Sequence, residues 1–134
     1  MMVHSREIIL ALGSNSEQEA SMIKARALLM ALLQHVSFSE NVCTEPIGIQ
    51  SPHFLNCLAV ATTSMCLTDL VAALKKVEHL CGDTVEQRRM NVVRMDIDIL
   101  KYDTERLHEK DWERQYVMDM LRQLKPELVD NPLP

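Results

Sequence analysis

No two of the four cysteines, at positions 43, 57, 66 and 81, make a C-x-x-C pair. That argues against a zinc site or a thioredoxin-like motif and leaves buried, reduced thiols as the expectation. No run approaches the roughly 20 apolar residues a spanning helix needs, so no membrane contact is expected. The opening stretch MMVHSREIIL has neither a long apolar core behind a basic patch nor a small-residue cleavage site, and without a signal peptide the reading is cytoplasmic. Cationic excess is missing as well. At a net charge of −5 the surface lacks the dense basic patch that phosphodiester binding requires, so nucleic acid is not an expected partner. Internal repeats and low-complexity segments are also absent.

The chain has 134 residues, 47% of them hydrophobic and 25% charged, close to the globular average. A chain this long buries roughly two-thirds of its unfolded surface, enough for one domain over residues 1–134 without covalent staples.

The run EIILALGSN reads as a buried strand ending at Gly13. Ser16 followed by Glu19 reads as a capping box that opens a helix to about Leu33, with Ile23, Ala27, Met30 and Ala31 at helical spacing. Residues 36–44 alternate Val36, Phe38 and Val42 with polar residues, the pattern of one half-exposed strand. EPIGIQSP, 45–52, cannot hold a ladder and is a long loop, the kind that is more often functional. A strand over 54–64 follows. The next helix, 68–82, is capped by Thr68 and closed by Gly82, with Leu70, Val71, Leu74 and Val77 as its inner stripe. Residues 83–91 read as a second flexible loop, and 112–124 as an amphipathic helix stopped by Pro126. The order β-α-β-β-α-β plus a terminal helix predicts an α+β, ferredoxin-like fold: a four-stranded antiparallel sheet with helices on one face plus a C-terminal helix, leaving the other face for a ligand or partner. Most of the nine methionines fall in these elements, where core packing is their default.

RMDIDIL, 94–100, puts two aspartates one residue apart in an apolar run. On a strand Met95, Ile97 and Ile99 share one face, and Asp96 and Asp98 share the other, about 7 Å apart. Like charges held in parallel raise each other's pKa unless a cation joins them. A solvated sheet face and a cation site both account for the pair. Arg88, Arg89 and Arg94 flank it, as a solvated loop or as the arginines a polyphosphate beside a hard cation demands. Asn56, between Phe54 and Leu58, must be hydrogen-bonded if buried, by the protein or by a flat heteroaromatic ring. Glu78 lies on the inward stripe of its helix and wants a donor, whether a ligand group, Lys75 or a backbone amide.

Taken in order, ALGSN, TEPIG, SPHFLN, KKVEHLCG, RMDIDIL and ERQYVMDMLRQLKPEL resemble the 6-hydroxymethyl-7,8-dihydropterin pyrophosphokinase (HPPK) family over about Ile9 to Leu128. The resemblance implies transfer of pyrophosphate from ATP to the pterin hydroxymethyl group in folate biosynthesis, with AMP leaving. It implies two Mg2+ ions held by Asp96 and Asp98, with Arg89 and Arg94 as catalytic arginines. Asn56 would read the pterin edge, Phe54 and Tyr116 would sandwich its ring, and Thr44 and Ile47 would line the pocket. Lys75, Glu78, Arg89, Ile99, Arg106, His108 and Arg114 fall on the ATP side. The expected partners are these small-molecule substrates, with the oligomeric state left open.

The chain also departs from the family pattern. Asp83 stands where the family has an arginine, Met90 where it has a tryptophan, and Asn91 and Val92 where it has Gly-Pro. Arg94 is displaced by one place, and the His-Pro before the last helix is absent, with His108 as a stand-in. Such losses imply slow turnover, with pterin binding better retained. A non-catalytic binding module of the same fold, holding a pterin-like ring or a protein partner, is the alternative; a scaffold without a small ligand is a third.

Overall fold

The computed structural model describes residues 4–48 and 50–129; the ends of the expected 1–134 unit, and Ile49 of the 45–52 loop, lie outside them. The elements in chain order are β1 (Arg6–Ser14), α1 (Gln18–Leu32), β2 (Gln34–Phe38), β3 (Val42–Thr44), β4 (Phe54–Thr63), α2 (Leu67–Leu80), α3 (Val85–Arg89), β5 (Asp96–Tyr102), β6 (Glu105–Arg106) and α4 (Gln115–Leu124). Single 3-10 turns occupy Glu109–Glu113 and Pro126–Leu128. The strands form one antiparallel sheet in the order β2-β4-β1-β5-β6, with β3 also on β4. This is the ferredoxin-like α+β arrangement, built with six strands rather than four. No described helix is long and apolar enough to cross a membrane.

Two local events add the extra strands. The expected strand over 36–44 breaks at Ser39, whose backbone N–H donates to the Leu58 carbonyl while its Oγ accepts from the Leu58 N–H, both at 2.9 Å. A side chain thus takes a place in the ladder, and β2 and β3 pair with β4 on either side of the break. The chain then turns after β5 and lays Glu105 and Arg106 back against Tyr102 and Lys101 as β6.

Alternation along the strands divides the apolar residues between two cores. Ile8, Leu10, Leu12, Cys57, Ala59, Met95, Ile97 and Ile99 pack beneath Met22, Ala25 and Leu29 of α1 and Leu70, Leu74 and Val77 of α2. Ile9, Leu58 and Leu100 pack on the opposite face against Trp112 and against Val117, Met120 and Leu121 of α4. The face expected to be helix-free is therefore partly covered by α4, while the end bearing Gly13, Asn56, Asp96 and Asp98 opens into a cleft.

Several expectations are corrected. The helix α1 buries Ser21, Met22, Ala25 and Leu29, while Ile23, Ala27, Met30 and Ala31 all face outward. Its N-cap is Glu17 in left-handed conformation, without a side-chain cap bond, so the Ser16/Glu19 capping box does not form. The N-cap of α2 is Cys66 rather than Thr68. Val71 is exposed at the helix rim, and Met30 and Met90 are exposed rather than core. Cys57 and Cys81 are buried free thiols, but Cys43 and Cys66 are exposed. The 83–91 loop contains α3, whose N-cap Thr84 accepts from the Gln87 amide. The last helix begins at Gln115, three residues after its expected start, because the 3-10 turn takes up Trp112. Gly82 closes α2 as expected. At φ 96° it donates to the His79 carbonyl while Asp83 donates to that of Glu78, the paired bonds of a Schellman end.

Candidate active site

Strand β5 joins β1 along one side, with Gly13 opposite Asp96 and Ala11 opposite Asp98. On its other side only Lys101 and Tyr102 meet β6, so the first half is a free edge. Glu78, buried on α2, reaches that edge and accepts the Ile97 N–H at 2.7 Å. A backbone amide is thus the donor that Glu78 wants. Burial raises the pKa of its carboxyl, the Ile97 amide opposes the rise, and the Asp96 charge adds to it.

Asp96 and Asp98 stand on the face away from α1 and α2, at the junction of two clefts. The first, of about 170 Å³, is lined by Gly13, Thr44, Ile47, Phe54, Asn56, Asp96, Asp98, Asp111 and Tyr116, among others. The second, of about 260 Å³, lies along the free edge between α2 and residues 107–108; its lining includes Leu74, Lys75, Glu78, Asp96, Asp98, Ile99 and His108. Both aspartates line both clefts.

All five residues expected on the pterin side meet in the first cleft. The Asn56 amide nitrogen donates to Thr44 Oγ1 at 2.7 Å and to the Val42 carbonyl at 3.2 Å. This fixes the amide so that its oxygen, which accepts no bond among the described residues, lies toward Gly13. A Cβ at Gly13 would stand 3.4 Å from that oxygen and 3.6 Å from the Phe54 ring, so the glycine leaves room on the cleft floor. Of the ATP-side residues, Lys75, Glu78, Ile99 and His108 line the second cleft, and Arg89, Arg106 and Arg114 line neither. Arg106 stacks over Trp112 at 4.1 Å. Arg114 pairs with Asp111 at 3.1 Å. Arg89 is exposed. Arg94 turns back against Gly82, with its Nε buried and without an acceptor.

Two residues outside the set implied by the resemblance enter the site. Asp111, from the 3-10 turn, joins Asp98 and His108 with all three ligating atoms within 4.8 Å of one another. Arg88 spans from Asp83, 2.9 Å from Nε, to Asp96, 3.3 Å from Nη1. Arg88 had a signal in the sequence, since it flanks the aspartates. Asp111 had none, because it sits on a turn with no periodicity to aim it.

The carboxylates dominate the electrostatics. Burial pushes the pKa of Asp98 up to about 6, with the Asp96 charge adding to the rise, His108 opposing it and Asp111 adding again. His108 Nε2 stands 4.0 Å from Asp98 Oδ1. Crowded carboxylates of this kind are stabilised by a divalent cation, and hard oxygen donors suit Mg2+. The carboxylate oxygens gathered here therefore suit magnesium.

Comparison with known proteins gives the family. The chain matches the family described as 7,8-dihydro-6-hydroxymethylpterin-pyrophosphokinase (HPPK) over residues 9–126. It is 30% identical over 145 residues to the mitochondrial folate synthesis bifunctional protein of Pisum sativum, covering 98% of this chain and 27% of that protein. To the protein of the same name from Arabidopsis thaliana it is 29% identical over 139 residues, covering 93% of this chain and 24% of that one. The chain thus spans about a quarter of the length of the curated relatives it matches.

Proposed function

Because the chain belongs to the 7,8-dihydro-6-hydroxymethylpterin-pyrophosphokinase family, we propose that it transfers pyrophosphate from ATP to 6-hydroxymethyl-7,8-dihydropterin in folate synthesis. Residues 1–134 act as one HPPK-like domain in this reading. The observation that carries it is the pair of clefts sharing Asp96 and Asp98: a two-substrate transfer needs two pockets that open onto one set of charges. The pterin occupies the first cleft, its ring between Phe54 and Tyr116 and its edge on Asn56, with Thr44 and Ile47 at the side. The nucleotide lies along the free edge of β5, past Leu74 and Ile99, with Lys75 and His108 beside its phosphates.

In the reaction the hydroxymethyl oxygen bonds to the β-phosphorus and gives its proton to solvent, while the bond from the β-phosphorus to the oxygen it shares with the α-phosphate breaks and AMP leaves with that oxygen. Asp96 and Asp98 would hold the Mg2+ ions, two by family likeness, which would supply charge neutralisation of the phosphates. The protein holds the two substrates in line. Turnover is slow, because Arg89 and Arg94 lie outside both clefts and, unlike Arg88, neither pairs with Asp96 or Asp98 among the described residues. Each missing charge-assisted contact costs about 10²-fold in rate. Pterin affinity is retained better, since all of its expected contacts converge.

The test is AMP release from ATP, hydroxymethyldihydropterin and magnesium. Wild-type protein releases AMP, and an Asp96→Ala plus Asp98→Ala double variant does not. Wild-type release no greater than that of the double variant retires the proposal.

A further inference from the structure

Three arginines bracket the aspartate pair, and only one is held against it. Arg88 Nε donates to both Asp83 oxygens at 2.9 and 3.0 Å. Its Nη2 donates to the Met95 carbonyl at 3.0 Å and its Nη1 to Asp96 Oδ1 at 3.3 Å. A guanidinium has five N–H groups. Those bonds use one on each nitrogen, so each Nη keeps one N–H without an acceptor among the described residues. Asp83 is itself fixed, as the residue after the glycine that ends α2, and it also accepts the Arg94 amide at 3.2 Å. The short helix α3, capped by Thr84, carries Arg88 across the gap. An open groove lined by Lys75, Glu78, Asp83 and Arg88 continues from the second cleft, sharing Lys75 and Glu78 with it.

We infer that Arg88 is the arginine that grips the nucleotide's phosphates in this protein, with Asp83 as its positioning residue. This rests on the pyrophosphokinase reading for its substrate. Two free donors on a clamped, planar fork beside the cation-binding carboxylate match two oxygens of one phosphate group, a contact that a lysine's single ammonium point does not reproduce. Clamping by Asp83 means that little side-chain freedom is lost when the phosphate arrives. The 3.3 Å contact to Asp96 is the longest of the set and the one that gives way most easily.

The experiment compares wild-type protein with R88Q, R88K, D83N and D83N/R88Q. It reads AMP release, affinity for the Mg2+ complex of an ATP analogue with a methylene bridge between the α- and β-phosphates, and pterin affinity. The expected result for R88Q is a fall of about 10²-fold in kcat and about tenfold in analogue affinity, with pterin affinity within about twofold of wild type. R88K falls at least about tenfold in kcat. D83N falls less than R88Q, and D83N/R88Q is no worse than R88Q alone, because Asp83 acts through Arg88. An R88Q protein within about twofold of wild type in both kcat and analogue affinity overturns the inference, and so does a D83N effect that adds in full to that of R88Q. Should R88Q not fold, R88K decides: wild-type kcat overturns the phosphate grip, and a tenfold fall with intact pterin affinity sustains it. If wild-type protein releases no AMP, the catalytic reading fails by itself, and analogue affinity still separates R88Q from wild type.

Discussion

Asp98 keeps its proton to about pH 6, because burial disfavours the carboxylate and the Asp96 charge stands beside it. Between the ordinary value of 3.8 and about 6, the native protein binds more protons than the unfolded chain. By linkage, this group makes the fold less stable as pH rises through that window, and the cost is fully present above it. Asp98→Asn is therefore expected to melt higher than wild type near neutral pH, with the gap closing below about pH 4; a gap independent of pH would contradict this origin. The same proton must leave before the carboxylate can hold a cation. Mg2+ affinity is expected to climb between about pH 5 and pH 7 in wild type, with release of a proton seen by calorimetry in buffers of different ionisation enthalpy, and to lose that climb in Asp98→Asn. The aspartate pair was legible in the sequence because a period of two assigns a face without further information. Asp111 was not, since its direction is set by a single 3-10 turn. The resemblance chose Arg89 and Arg94, whereas Arg88 is the one that reaches Asp96, because its direction depends on α3, a five-residue helix.

Among the elements, β5 carries the site and depends on α2 for its free edge. Glu78→Ala leaves the buried Ile97 amide without an acceptor, a loss of about 1–3 kcal/mol. Glu78→Gln keeps an oxygen at that place and removes a charge whose pKa burial has already raised, so it costs less. Urea unfolding of the two variants checks the order, and equal losses would show that the Ile97 bond is not what Glu78 supplies. The core strands and the two long helices were readable from periodicity. The outward face of α1 was not, because that helix is apolar on both sides: Ile23 and Met30 are 70% and 62% exposed, so spacing alone cannot say which stripe goes in. The break at Ser39 was hidden for another reason. Alternation continues through residues 36–44, and only the tertiary pairing of Ser39 with Leu58 divides the strand.

For the molecule as a whole, among the described residues, apolar cores lie on both faces of the sheet, and beside them both clefts meet on the same carboxylates. Shared walls make the two ligands interdependent. To seat a pterin ring against Asp96 and Asp98 before Mg2+ binds, water must be stripped from two carboxylates that share one guanidinium, Arg88 at 3.3 Å from Asp96, which is costly. Once nucleotide and Mg2+ occupy the second cleft, that wall is neutralised and the same ring enters at lower cost. Pterin affinity is therefore expected to rise at least about tenfold in the presence of the Mg2+ complex of the methylene-bridged ATP analogue, and analogue affinity to rise by the same factor with pterin present, since coupling between sites is reciprocal. The effect belongs to the carboxylates, so an Asp96→Asn plus Asp98→Asn variant should bind pterin as tightly without the analogue as with it. Fluorescence titration of pterin in the four combinations measures this directly. Equal wild-type affinities with and without the analogue would mean that the shared wall does not link the clefts, however closely they adjoin.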